Sequence, residues 1–131
     1  MSKITSHYGE WLGGFDWSHM ITIRLHFRLS EVSAYNLCKR LFKGSRHINK
    51  LFYSVEKDRQ DDMNHMHLLV DSKWTTLRRD QLASAAGFKD YPNAISFIEN
   101  VKSKEAVSLY ATKYLDKKGV FYDMLYDRHS I

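Results

Sequence analysis

The sequence predicts an α+β fold in which helices pack on an antiparallel sheet. In two segments, HMITIRLHF at 19–27 and HMHLLV at 65–70, side chains of similar type recur at every second residue, which is the period of a β-strand. Between and after them, apolar residues recur at the three- and four-residue spacing of amphipathic helices. With 131 residues and an apolar fraction of 44%, the chain can bury one core, so residues 1–131 are expected to form a single domain.

The first strand and the first helix have the clearest local signals. Along residues 19–27, branched and aromatic apolar side chains fall on one face and polar side chains on the other, as in a half-buried strand. Ser30 then has the position of a helix N-cap, with Glu31 in the first turn. A helix is therefore predicted over residues 31–43, ended by Gly44.

A hairpin and a second helix follow. Residues 51–57 are rich in β-forming side chains and lead through the polar turn DRQDD into the strand at 65–70. Thr75 or Thr76 is positioned to cap a second helix that extends to about Ala86.

The last predicted elements complete the order β-α-β-β-α-β-α. Residues 94–101 predict a fourth strand, and residues 104–118 predict a third helix that ends at Gly119. The tail, VFYDMLYDRHSI, has no clear period. This order indicates a ferredoxin-like antiparallel sheet with helices packed on it.

The composition limits the classes of protein to which this chain is expected to belong. Cys38 is the single cysteine, so no internal disulfide can form and a reducing, cytoplasmic setting is expected. No signal-like segment and no apolar run of about eighteen residues occurs, so no membrane association is expected. The net charge of +5 suits a polyanionic partner such as a nucleic acid.

Two histidines interrupt an apolar strand in NHMHLLVDSK. His65 and His67 share one face of this strand, because alternate side chains point the same way. Neutral imidazoles at fixed spacing can clamp a divalent metal. The alternative is that each histidine satisfies a buried hydrogen bond, since two ligands alone do not make a metal site.

The third predicted helix, with the segment SLYATKYLDKKG, brings tyrosines and lysines together. Its apolar stripe consists of Val107, Tyr110, Ala111 and Tyr114. Lys113 follows Tyr110 by three residues, and Lys117 follows Tyr114 by three, so each phenol has an ammonium within reach. A nearby cation stabilises a phenolate nucleophile. The alternative is that both tyrosines are core residues with a solvated hydroxyl.

A metal clamp and a tyrosine–lysine pair together predict phosphoryl-transfer chemistry. The metal polarises a scissile phosphate, and the tyrosine oxygen attacks the phosphorus in line. The 3′ oxygen leaves, and the 5′ end is retained as a phosphotyrosine ester that can later be rejoined.

The motifs resemble those of the HUH single-strand endonucleases, which include replication initiators and relaxases of rolling-circle elements. HMHLLV resembles their His-hydrophobic-His motif, and YATKYLDKK resembles their Tyr-x-x-Lys motif. The second tyrosine of this segment is similar to the two-tyrosine class of small single-stranded DNA phages. The resemblance covers about residues 16–118 and leaves 119–131 as a C-terminal tail.

The resemblance implies a site residue by residue. His65 and His67 would bind Mg²⁺ or Mn²⁺, with Glu56 as the third ligand if the hairpin register brings its carboxylate to the same face. Glu99 is the reserve candidate, and Glu56 could instead be a solvated residue near a turn.

The resemblance also assigns the catalytic tyrosines. Tyr110 would be the nucleophile, with Lys113 as its lysine. In the two-tyrosine class, Tyr114 with Lys117 would act alternately with it, whereas in a single-tyrosine enzyme Tyr114 would only support the fold.

The function implied is metal-dependent nicking and joining of single-stranded DNA that initiates rolling-circle replication. No P-loop helicase motif occurs, so a hairpin at the origin, supercoiling or a host helicase would open the duplex. A second copy could supply a second tyrosine as a homodimer. The alternatives are a small HUH transposase or relaxase, a non-catalytic ferredoxin-like nucleic-acid-binding module, and a structural metal-binding protein.

Weaker expectations concern contacts with DNA. Phosphate contacts are assigned to Arg24, Lys39, Arg40, Arg78 and Arg79, with a solvated surface charge as the alternative for each. Lys43 and Arg46 are further candidates of the same kind. Trp11, Trp17 and Trp74 could stack on unpaired bases, with burial as the favoured alternative for each of them.

Overall fold

The structure is a computed structural model that describes residues 12, 14, 16–56, 64–107 and 121–126. Residues 104–107 are helical. The other elements, in chain order, are β1 (His19–Arg24), α1 (Glu31–Gly44), β2 (Ile48–Glu56), β3 (His65–Ser72), α2 (Arg79–Ala86), a short 3₁₀ helix (Pro92–Ala94), β4 (Ile95–Asn100) and β5 (Phe121–Tyr126).

The five strands form one sheet in the order β4-β1-β3-β2-β5. Each pair of neighbouring strands is antiparallel. The predicted α+β class with an antiparallel sheet is therefore confirmed, and the architecture is consistent with a ferredoxin-like fold. β5, which lies at the edge beside β2, was not predicted.

One face of the sheet, here called the helix face, carries the main core. Side chains such as Ile21, Leu68 and Val55 point to this face and are almost fully buried against α1 and α2. Helix α1 contributes the apolar stripe Ala34, Leu37, Cys38 and Leu41. Burial raises the pKa of the Cys38 thiol, so this cysteine is a packing residue.

The opposite face, here called the histidine face, carries His65 and His67. A smaller apolar cluster lies next to them on this face and consists of Leu12, Trp17, Phe52, Leu69 and Val107. Val107 belongs to the helical residues 104–107, so the start of that segment packs on the histidine face.

The start of α1 agrees with the sequence, whereas the start of α2 does not. The Ser30 hydroxyl accepts a hydrogen bond from the Ser33 amide and caps α1 as predicted. Helix α2 begins at Arg79, several residues after the predicted caps Thr75 and Thr76. The preceding segment is held by long-range contacts instead, because the Lys73 amide donates to the carbonyl of His47 at 2.8 Å.

Two further boundaries bear on the predictions. β1 ends at Arg24 rather than at residue 27. The predicted helix over 104–118 is seen as helix for residues 104–107, and the rest of it lies outside the described residues. None of the described helices has the length and apolar character needed to cross a membrane.

Candidate metal centre

The register of three strands brings the candidate ligands together. In the β2–β3 hairpin, Glu56 pairs with His65 and Ser54 pairs with His67. On the other side of β3, Thr22 of β1 pairs with His67. Because directly paired residues of neighbouring strands point to the same face, these side chains all lie on the histidine face.

Glu56 is in contact with both imidazoles. Its Oε2 atom lies 3.2 Å from Nε2 of His65 and 2.7 Å from Nε2 of His67. The two imidazole rings are almost perpendicular, with centroids 5.5 Å apart. All three residues are buried, and 7–10% of each side chain is exposed. The cluster is thus a buried carboxylate between two ring nitrogens.

The donor spacing fits a divalent cation. One ligand atom from each of Glu56, His65 and His67 lies within 4.8 Å of the other two, so the cluster could hold a metal ion. Ligands bonded at about 2.1 Å are separated by about 3.0 Å in octahedral and about 3.4 Å in tetrahedral geometry. The contacts of 2.7 Å and 3.2 Å are close to these separations, so small side-chain rotations would admit an ion.

The second ring nitrogen, Nδ1, has different surroundings in the two histidines. Thr22 Oγ1 lies 3.2 Å from Nδ1 of His67. A hydroxyl that accepts the Nδ1 proton leaves the Nε2 lone pair directed at the cluster, which is the usual arrangement around a metal-bound histidine. Nδ1 of His65, by contrast, is buried and has no hydrogen-bond partner among the described residues.

The structure selects Glu56 over Glu99 as the carboxylate of the cluster. Glu99 lies on β4 and pairs with Met20 of β1, which is two residues along β1 from Thr22. It is exposed and separated from β3 by β1. Glu56 meets the condition set by the sequence, because its register places it directly opposite His65.

The predicted catalytic residues are not among those that the structure describes. Tyr110, Lys113, Tyr114 and Lys117 all lie outside the described residues. Their assignment therefore stays a prediction from the sequence.

The predicted DNA-contacting residues do not share one surface. Arg24 is exposed and pairs with His65, so it lies on the histidine face beside the cluster. Lys39 and Arg40 belong to α1, which packs on the helix face, and Arg40 Nε donates a hydrogen bond to the carbonyl of Ala86 at 3.0 Å.

The two arginines at the start of α2 are also apart from the cluster. Arg78 is exposed and forms an ion pair with Asp80 at 3.2 Å. Arg79, the first residue of α2, is exposed as well. Of the five basic residues predicted to contact DNA, Arg24 is therefore the one that the structure brings beside the candidate ligands.

Thr22 is the residue that sequence reasoning missed. Its signal was present, because the alternation of β1 places Thr22 on the polar face. A threonine on the polar face of a strand is common, however, and only the pairing of β1 with β3 brings it to His67.

No protein-family model, no curated protein and no solved structure matches this chain.

Proposed function

We propose that this protein is a metal-dependent endonuclease that nicks and rejoins single-stranded DNA to initiate rolling-circle replication. The observation that carries the proposal is the buried cluster of Glu56, His65 and His67 on one face of an antiparallel sheet. The motif resemblance supplies the class of reaction, and the basic net charge of +5 supports a polyanionic substrate.

Arg24 supports a phosphate position next to the metal. It is paired with His65 across β1 and β3 and forms no ion pair with any described residue. A guanidinium here can bind a phosphate oxygen at the centre through charge-assisted hydrogen bonds.

The packing of Val107 supports the proposal that Tyr110 acts on the histidine face. It is 2% exposed and packs in the cluster that contains Phe52 and Leu69, which lie two residues from Ser54 and His67 along their strands. The helical period of the sequence puts Tyr110 on the same stripe as Val107. A helix that continued from Val107 would therefore direct Tyr110 toward this face.

The proposed reaction uses these residues as follows. Glu56, His65 and His67 would hold the cation, and the bound cation would supply Lewis-acid polarisation of the scissile phosphate. The Tyr110 phenol releases its proton to solvent, with Lys113 stabilising the phenolate, and its oxygen forms a bond to phosphorus. The bond from phosphorus to the 3′ oxygen breaks, and the 3′ oxygen takes up a proton from solvent. In a two-tyrosine enzyme, Tyr114 with Lys117 would act alternately with Tyr110, one tyrosine holding the DNA while the other cuts.

The donor set favours Mn²⁺ over Mg²⁺. Mg²⁺ prefers an all-oxygen octahedral shell, whereas two of the three donors here are imidazole nitrogens. Both ions remain candidates from the motif resemblance. The proposed partners are an origin hairpin and a host helicase in the cytoplasm of the host cell, with a homodimer as a possible assembly.

Covalent capture of DNA tests the proposal. The protein is incubated with mixed single-stranded oligonucleotides and Mn²⁺, and denaturing gels are examined for a protein–DNA adduct. The wild type is expected to form an adduct that a chelator prevents. Tyr110→Phe should abolish it, and His65→Ala should reduce it at limiting Mn²⁺.

Tyr126→Phe is the matched control, because Tyr126 is an exposed tyrosine at the far end of the sheet. It should form the adduct at the wild-type level. Full adduct formation by Tyr110→Phe would overturn the assignment of the nucleophile and transfer it to Tyr114. The lack of any adduct with wild-type protein across the oligonucleotide mixture would overturn the proposed activity.

A further inference from the structure

A cavity lies at the opposite end of the sheet from the metal centre. It has a volume of about 660 Å³ and is lined by residues at the end of α1, by side chains of α2, and by His47 and Trp74. Ser72, which contacts both of these aromatic residues, lies five residues beyond His67 on β3. At about 3.4 Å per residue, the cavity is therefore about 17 Å from the metal centre.

Trp74 forms a fixed aromatic platform in this cavity. Its side chain is 48% exposed, yet its indole stacks on His47 with ring centroids 3.8 Å apart and planes 10° from parallel. The Trp74 amide donates to Ser72 Oγ at 3.0 Å, and His47 Nδ1 shares a hydrogen bond with the same hydroxyl at 2.8 Å. Thr75, the residue after Trp74, is also held in place, because its carbonyl oxygen lies 2.9 Å from His19 Nε2.

The stack leaves part of the indole available. Burial, together with the nearby His19, lowers the pKa of His47 from its ordinary value, so this ring is neutral at pH 7. His47 covers one face of the indole, and about half of the Trp74 side chain remains exposed to solvent. An aromatic ring that is already fixed loses little entropy when a flat ligand stacks on it.

The positive charges around Trp74 indicate which kind of ligand the cavity binds. Lys43 and Arg46 line the cavity, are exposed, and form no ion pair with any described residue. None of the described residues that line the cavity is an aspartate or a glutamate. An open aromatic ring beside unneutralised cations is the combination by which proteins bind unpaired bases and their phosphates.

We infer that this cavity binds a stretch of single-stranded polynucleotide, with a base stacked on Trp74 and the flanking phosphates at Lys43 and Arg46. An acidic peptide would satisfy the two cations but would leave the ring unused. The site needs no metal and does not depend on the proposed nuclease activity.

Binding of labelled oligonucleotides in a chelating buffer tests the inference. Oligothymidylate and oligouridylate of about twelve nucleotides are titrated separately, and the tighter of the two identifies the DNA or RNA source. Trp74→Ala should weaken binding by about 5- to 150-fold, and Trp74→Phe should retain most of it. The double variant Lys43→Ala/Arg46→Ala should lower the slope of log affinity against log salt by about 1.4.

Lys89→Ala is the charge control, since Lys89 is exposed and does not line this cavity. Its affinity should be within twofold of the wild type. Trp74 is exposed, so its variants should fold, and circular dichroism with thermal melts verifies this. Equal affinity of folded Trp74→Ala and Lys89→Ala would overturn the inference. So would displacement of the oligonucleotide by polyglutamate of equal charge as effectively as by unlabelled oligonucleotide.

Discussion

Replacement of Thr22 by valine tests how the metal centre is held together. Valine preserves the shape and the β-branched side chain but removes the hydroxyl that lies 3.2 Å from Nδ1 of His67. Loss of a partner that orients a metal-bound histidine typically weakens metal affinity 10- to 100-fold. We therefore expect Thr22→Val to bind Mn²⁺ 10- to 100-fold less tightly than the wild type.

The same loss can be expressed as a thermal shift. At a free Mn²⁺ concentration 100 times the wild-type Kd, binding stabilises the fold by about 2.7 kcal/mol. For 131 residues, the unfolding entropy is about 0.28 kcal/mol/K, so the wild-type Tm should rise by about 10 °C. At the same concentration, the Tm of Thr22→Val should rise by only about 1.5–5 °C.

Calorimetric titration and thermal melts with and without Mn²⁺ measure these quantities. Thr76→Val is the matched control, because Thr76 is exposed and lies in the loop before α2. It makes the same chemical change and should leave the Mn²⁺-induced shift at the wild-type value. Equal Mn²⁺ affinity in Thr22→Val and Thr76→Val would refute the role given to the hydroxyl.

Three further predictions concern stability and titration. Leu68→Ala, at a fully buried position on the helix face, should cost about 2–5 kcal/mol and lower the Tm by about 7–18 °C in thermal melts. Gly87→Ala should cost about 1–2 kcal/mol in urea unfolding, because φ is +97° and the added Cβ would lie 3.0 Å from Arg40 Nε. His47 should titrate below 6.5 by NMR, so the stability that it contributes is present above pH 6.5 and falls as the pH drops toward its folded-state pKa. Trp74→Ala should move the titration midpoint of His47 back toward 6.5, because burial is the larger cause of its lowered pKa. An unchanged midpoint would contradict this cause.

The sequence predicted the elements in which local pattern and tertiary packing agree. Strand β3 alternates because one of its faces meets the main core, and α1 has both an apolar stripe and a serine cap. The assignment of Glu56 also followed from local reasoning, because a short hairpin links it to His65 in sequence and in register.

The sequence could not reveal β5, because an edge strand need not alternate cleanly. Tyr122 and Tyr126 point to the histidine face although both are exposed, and Asp123 occupies the opposite side of the same strand. The two-residue period of hydrophobicity is therefore lost. Pairing with β2 fixes this strand, and that pairing is a long-range contact that a local pattern does not encode.

The predicted start of α2 was wrong for a related reason. Thr75 and Thr76 are good N-cap residue types, yet the Thr75 carbonyl is 2.9 Å from His19 Nε2, and Leu77 is buried in the core. These contacts hold the chain in a loop until Arg78. Thr22 was missed for the same reason, since only the β1–β3 register gives it a role.

The most direct measurement of the central claim is the stoichiometry of Mn²⁺ binding in two glutamate variants. Glu56→Gln and Glu99→Gln make the same chemical change on the same face of the sheet, but only Glu56 contacts both imidazoles. We predict one Mn²⁺ per chain by calorimetry for the wild type and for Glu99→Gln, and a loss of this binding in Glu56→Gln. One Mn²⁺ bound by Glu56→Gln with wild-type affinity would contradict the account.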